Sequence, residues 1–475
     1  MKHYLFLFVA LIFAIFCGCK TKTQKQASDT VEAEVNILAV NDIHASIDQF
    51  PKFAAMVDSL REVYPDLLVF SAGDNRTGNP VNDQYDPVNY PMIKLMNEVG
   101  FDVCTVGNHE WDGGIDALEN DIKRADFPFL CANVIVPDTV TLDVEPHVII
   151  ENQGVKLAVV GMIEVRHDGI PGAHPKNLSK VSFKNALSVL PEYQFLKTHS
   201  DALILLSHCG FEDDVELAQA YPWLDVIIGG HSHTLIENPK KYNGVLITQS
   251  GSHLEYATLV TLKFKDGKLV GNEAMVLNVK EFNKEKPAIK ALVDEFNNAP
   301  VLNEAIAVAK TRFENREEIG CMMTDAIREI SGADFAFQNT GGVRVNYLKK
   351  GPITVKDVYT IDPFNNDVVV YQMTGAQVKH FILNSYRKNG GVPSYVSGMT
   401  YTIGDDGNNV WIKTKSAPFS TKKLYKVAFN SYMASTIDVR AMDEGRSMFK
   451  TSEEMMIEFL KKRKKVDYQG VSRTQ

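Results

Sequence analysis

The stretch "FDVCTVGNHEWDGG", Phe101 to Gly114, holds the key to the chain. A short apolar run with two valines reads as a buried strand, and it ends in Asn108, His109, Glu110 and Asp112. A single polar residue after a strand is ordinarily solvated loop. The ending becomes informative only if other strands share it, and they do. "VNILAV" runs into Asp42 and His44, "DLLVFSAG" into Asp74, "DALILLS" into His208, and "DVIIGG" into His231 and His233. In an open α/β sheet the carboxyl ends of the strands form the ligand-binding edge. Gly73, Gly107, Gly210, Gly229 and Gly230 adjoin these positions, where a small residue lets the backbone turn sharply and clears space.

A mixed Asp, His and Asn set suits borderline divalent cations. Asp42, His44, Asp74, Asn108, His208, His231 and His233 are too many for one tetrahedral ion and suit two ions sharing a carboxylate, an arrangement fitted to phosphoester hydrolysis. The chain has no H-E-x-x-H helix and no Walker loop, which argues against a zincin and against NTP-driven transfer.

Outward from these motifs, apolar runs alternate with amphipathic helical stretches over residues 34–280, an α/β pattern. "EFNKEKPAIKALVDEFNNAP" predicts a linker helix within 281–300, starting near Pro287 and ending at Asn297–Asn298. Residues 301–475 form a second domain with its own strands and helices. A length of 475 residues with 45% hydrophobic content agrees with two domains. The net charge of −9, without a long basic run, argues against a nucleic-acid polymer as partner, so an anionic ligand needs a local cation.

The N-terminus "MKHYLFLFVALIFAIFCGCK" has a basic start and an apolar stretch from Tyr4 to Phe16, too short for a spanning helix and fitting an export signal. Its ending "FCGC" resembles a bacterial lipobox. That makes residues 1–19 a lipoprotein signal, Cys19 the lipid-bearing residue and 20–33 a polar tether, and predicts a chain anchored to the bacterial envelope on a periplasmic or outer-membrane face. Cys104, Cys131, Cys209 and Cys321 are widely spaced, with no C-x-x-C, and read as free thiols.

Taken in order, D-x-H (Asp42–His44), G-D-x-x-x-G (Gly73–Gly78), G-N-H-E-x-D (Gly107–Asp112), S-H-x-G (Ser207–Gly210) and G-H-S-H (Gly230–His233) resemble the signature of the calcineurin-like metallophosphoesterases. "MTDAIRE", "GADFAFQN" and "NTGGVR" (Asn339–Arg344) resemble the second domain of its 5′-nucleotidase branch. The resemblance implies a four-layer α/β/β/α domain followed by an α+β substrate-binding domain. It implies two divalent ions such as Zn or Mn, one on Asp42, His44, Asp74 and His233, the other on Asp74, Asn108, His208 and His231. It further implies attack of a hydroxide held by the two ions on a nucleoside 5′-monophosphate. UDP-sugar or 2′,3′-cyclic nucleotide hydrolysis, or non-catalytic nucleotide binding, are the alternatives. His109 would stabilise the transition state or protonate the leaving group, oriented by Asp112, with Glu110 in support. Arg344 and Asn339 would meet the substrate, with Arg387 as a second phosphate contact. Tyr432 and Tyr395 would sandwich the base and Asp438 would accept a sugar hydroxyl. "YMASTIDVR" lacks the two glycines that the branch carries before this Asp. A hinge at the linker helix would bring substrate to the ions.

Overall fold

The computed structural model describes residues 33–167, 169–415, 417–437 and 445–474; the leader, Cys19, most of the tether, and Asp438 lie outside them. Two six-stranded sheets dominate the first half. One has the order Lys268–Asn278, Tyr256–Lys265, Ala33–Val40, Leu68–Ser71, Val103–Thr105, Phe129–Leu130; the other runs Lys240–Tyr242, Val245–Thr248, Val226–Ile228, Ala202–His208, Val155–Ile163, His147–Asn152.

Strand periodicity explains the layering, because successive side chains point to opposite faces. Val35, Ile37 and Ala39 join Leu157, Val159, Ile204 and Leu206 in a core between the two sheets. Their neighbours Leu38 and Val40 pack outward with Phe53, Met56, Met92 and Met96 of two helices. On the other side Val160, Leu203, Leu205 and Ile227 meet Leu217 and Ala218 of the helix Phe211–Ala220. The result is helix, sheet, sheet, helix, as expected. Ala33–Val40, Leu68–Ser71 and Val103–Thr105 run parallel in one sheet, and Ala202–His208 and Val226–Ile228 run parallel in the other. The carboxyl ends that carry the polar clusters belong to these five strands.

The second half holds a five-stranded sheet, ordered Tyr395–Ser397, Phe335–Gln338, Leu424–Asn430, Asp367–Thr374, Arg446–Thr451. Phe335–Gln338 is parallel to Leu424–Asn430, so Asn339–Arg344 and Ser431–Tyr432 leave the sheet at one edge. Asp367–Thr374 is antiparallel to Leu424–Asn430, with Val368 opposite Asn430, so the segment before it starts at that same edge.

The helix expected from Pro287 spans Pro287–Asn297 and buries Ile289, Val293 and Phe296, spaced four and three residues apart on one face. It packs on the helices Phe50–Arg61 and Tyr90–Val99 of the first half. Cys104, Cys131, Cys209 and Cys321 are free and buried, and burial pushes Cys131 up to about 12, leaving it an inert thiol. Among the described residues, no helix is long and apolar enough to cross a membrane.

Phe296 sets its ring edge-on to Tyr85 at 5.6 Å and Tyr90 at 6.1 Å. Phe296→Ala is expected to destabilise the first half by about 3–5 kcal/mol. Denaturant midpoints followed by tryptophan fluorescence check this, and an unmoved midpoint would mean the helix is not part of that unit.

Candidate active site

Asp42 and Asp74 are almost completely buried and surrounded by imidazoles. His233 Nε2 lies 3.2 Å from Asp42 Oδ1, His44 Nε2 lies 3.0 Å from His233 Nε2, and His208 Nε2 lies 3.1 Å from Asp74 Oδ2. His231 Nδ1 is 2.9 Å from Asn108 Oδ1. Asp42, His44 and His233 form one group whose ligand atoms converge, and Asp74, His208 and His231 form another.

The donor set fits two divalent ions. Neighbouring carbonyls fix two of the imidazoles, since His44 Nδ1 donates to Thr77 O (3.0 Å) and His208 Nδ1 to Ala72 O (2.6 Å), turning each Nε2 into the site. His208 Nε2 is buried and faces Asp74 Oδ2 at 3.1 Å. Burial lowers His44 well below the ordinary histidine range and takes His231 to about 4, so both offer neutral lone pairs. Burial alone would raise Asp74, but His208 and His109 beside it outweigh that and hold it well below the usual carboxylate range.

The backbone is shaped for this convergence. Asp42, His44, Asp74, His231 and His233 all have φ between 49° and 74°, a region that costs a non-glycine residue about 1–3 kcal/mol. Glu110 braces the turn by accepting from the amides of Asp74 (2.9 Å), Asn75 (2.8 Å) and Gly107 (2.6 Å). A side chain at Gly107 would bring its Cβ to 2.3 Å from Asp74 Oδ1, which makes glycine obligatory there. Asn41 holds Asp42 Oδ2 at 2.6 Å and is itself tied to Gly251 O and Ser250 N.

His109 stands beside this centre. Its Nδ1 is 2.6 Å from Asp112 Oδ2, and its amide donates to Asp74 Oδ1 at 2.8 Å. Burial opposes protonation, but Asp112 and Asp74 outweigh it and push His109 up to about 9.

His109 and Asp112 open into a cavity of about 470 Å³ between the two halves, which Asn339, Arg344 and Tyr432 also line. The first half contributes the segment Gly172–Asn177, whose His174 Nε2 lies 3.2 Å from Ser431 Oγ. The other two substrate contacts expected within the described residues are not brought there. Tyr395 is buried, its ring fills the space over Gly320 of the helix Arg316–Ser331, and it serves the core. Arg387 donates to Gly407 O and Asn408 Oδ1, away from the cavity.

The ring that lines the cavity together with Tyr432 is Phe364. It lines the cavity, lies nearly parallel to the His109 ring at 6.0 Å, and has the Arg344 guanidinium 5.6 Å from its centroid. Its signal in the sequence is slight: one aromatic in "IDPFNND", a segment otherwise composed as a turn.

Glu110→Gln would set an amide N–H against one or more of these backbone donors. It is expected to weaken divalent-ion binding about 10–100-fold. Calorimetric titration of Mn²⁺ or Zn²⁺ into metal-free protein tests this, and wild-type affinity would refute the bracing role.

The calcineurin-like phosphoesterase family model matches residues 35–235, and that of the 5′-nucleotidase C-terminal domain matches 298–444. Protein UshA of Yersinia enterocolitica is 27% identical over 84% of this chain and 85% of its own length. The 5′-nucleotidase of Vibrio cholerae is 28% identical over 83% and 84%. The crystal structure of a 5′-nucleotidase precursor from Thermus thermophilus superposes with a TM-score of 0.79 at 22% identity, covering 93% of this chain and 99% of that one, which shows the shared fold. The two matched domains, in this order and with the converging Asp and His groups at the sheets' carboxyl ends, make the chain a member of the calcineurin-like phosphoesterases with a 5′-nucleotidase C-terminal domain, metal-dependent hydrolases of phosphate monoesters.

Proposed function

We propose that the chain releases phosphate from nucleoside 5′-monophosphates. The observation that carries this reading is the shared cavity, in which the rings of Phe364 and Tyr432 lie within reach of Arg344 and the His109–Asp112 pair. Flat apolar rings beside a cation and a proton donor suit a ligand with a base at one end and a phosphate at the other.

Asp42, His44, Asp74 and His233 would hold one ion, and Asp74, Asn108, His208 and His231 the other, with Asp74 shared; two such ions polarise a phosphoryl oxygen and activate water. The remaining steps belong to the chain's own groups. Arg344 would hold the phosphate oxygens with its fork of N–H donors. Asp112 accepts from His109 Nδ1, which leaves Nε2 to donate a proton to the departing ester oxygen. Phe364 and Tyr432 would stack on the base, and Asn339, whose Oδ1 accepts from Asn430 at 2.8 Å, is held at the cavity wall.

The test is phosphate release from AMP, UMP and p-nitrophenyl phosphate with Mn²⁺ or Zn²⁺. Metal-dependent release from a nucleotide is expected. Turnover of p-nitrophenyl phosphate alone would sink the nucleotide reading. Asp112→Asn is expected to lower kcat about 10²–10⁴-fold at unchanged metal content. His109 is raised largely by Asp112, and the acid form is lost as pH rises through its pKa, so the alkaline limb of the activity profile should move to lower pH in this variant.

We further propose that the chain is exported and anchored through a lipid on Cys19, a reading supported by the Tyr4–Phe16 run and "FCGC". Cys19→Ser should move the protein from the membrane to the soluble fraction of cells, and unchanged membrane recovery would count against the anchor.

A further inference from the structure

Behind the aromatic wall of the cavity lie two carboxyl groups that the chemistry above does not use. Asp362 and Glu453 are both 0% exposed, and the Ser452 hydroxyl lies between them, 2.7 Å from Asp362 Oδ2 and 3.5 Å from Glu453 Oε2. Asp362 follows the helix Val355–Ile361, and Glu453 is the second residue of the helix Ser452–Arg463. The segment 362–367 begins at this pair and delivers Phe364, Asn365 and Asn366 to the cavity.

Its mooring is specific. The first turn of a helix has free N–H groups that need acceptors. The Ser452 amide donates to Asn366 O at 2.9 Å, and the Ser452 hydroxyl donates to Asp362 Oδ2 at 2.7 Å. In the reverse direction the Asn365 amide donates to Glu453 Oε1 at 2.6 Å. Asp362 Oδ1 has no amide or hydroxyl donor. Two neighbouring carboxyls buried without a cation do not both ionise, so one keeps its proton. Burial raises both carboxyls, and the Asp362 charge adds to the rise at Glu453.

We propose that the Glu453–Asp362 pair is the positioning element that holds the Phe364 ring where a nucleobase stacks; this rests on the nucleotide reading above. Neither carboxyl lines the cavity, and their effect passes through the segment between them and the ring. p-Nitrophenyl phosphate offers a contrast, because it needs the phosphate site and no base wall.

The test compares full-length wild type with Glu453→Ala and Glu453→Gln, loaded with Mn²⁺. Glu453→Ala is expected to raise KM for AMP about tenfold, with kcat for AMP and both constants for p-nitrophenyl phosphate within about twofold. The Gln side chain keeps an acceptor for the Asn365 amide and puts no second charge beside Asp362, so Glu453→Gln should stay close to wild type. A parallel loss on both substrates, an unchanged KM for AMP, or equal damage in both variants would overturn the proposal. If Glu453→Ala does not fold, Ser452→Ala removes the hydroxyl's bonds to Asp362 and Glu453 and should raise KM for AMP about threefold, with no rise overturning the role. Hydrogen exchange of segment 362–367 separates this claim from the nucleotide reading. If wild type cleaves p-nitrophenyl phosphate but no nucleotide, faster exchange in Glu453→Ala than in wild type and Glu453→Gln still upholds the mooring, and equal exchange refutes it.

Discussion

Asp74 is the constraint on which the active site turns. It is a buried carboxylate held from every side: its amide is fixed by Glu110, Oδ1 accepts from the His109 amide, and Oδ2 faces His208 Nε2. Burying such a group unpaired would be prohibitive. Its partners must therefore arrive from several strands at once, and only the meeting of the two sheets' carboxyl edges supplies them. Gly73 and Gly107 are consequences of the same crowding, since a Cβ at either would run into the opposite turn at 2.8 Å or closer.

The concentration of left-handed residues in the ligand set has the same origin. Each of these loops must leave its strand and turn back within two or three residues so that a short side chain reaches a common point. Asp, His and Asn have little reach, so the backbone supplies it at a cost in conformational energy. Alternating cores on both faces of each sheet are what hold these turns in place. Fold and site are one device in the first half: the sandwich supplies the rigidity that the strained turns consume.

This explains how unevenly the chain could be read from its sequence. The convergence of the candidate ligands was legible because each is local to a strand end and the five ends repeat one pattern. The cavity was less so, because it is assembled from distant segments: Gly172–Asn177, Asn339–Arg344, Phe364–Asp367 and Ser431–Tyr432. Tyr395, expected as a base-stacking ring, sits on a strand whose partner helix offers Gly320 as a socket. Phe364 was hidden for the opposite reason: its importance comes from what crosses beneath it, the first turn of a helix some 90 residues later, bound through Asn365 and Glu453 with a separation of 88. Neither fact leaves a local periodicity.

The two halves of the active site are therefore built on different principles. Around the ions the groups are few, short and over-determined, so most changes there destroy the site. The cavity wall is polar loop resting on a separate scaffold, tied across the interface by single bonds such as His174 to Ser431 at 3.2 Å. Changes in segment 362–367 or around Ser431–Tyr432 alter which ligand fits without touching Asp42, Asp74 or their imidazoles. Residues 434–437, which follow Tyr432, fall on this tolerant side. A chain of this design can retain its phosphoester chemistry while its organic specificity changes, because the energetic demands of the metal centre end at His109 and Asp112.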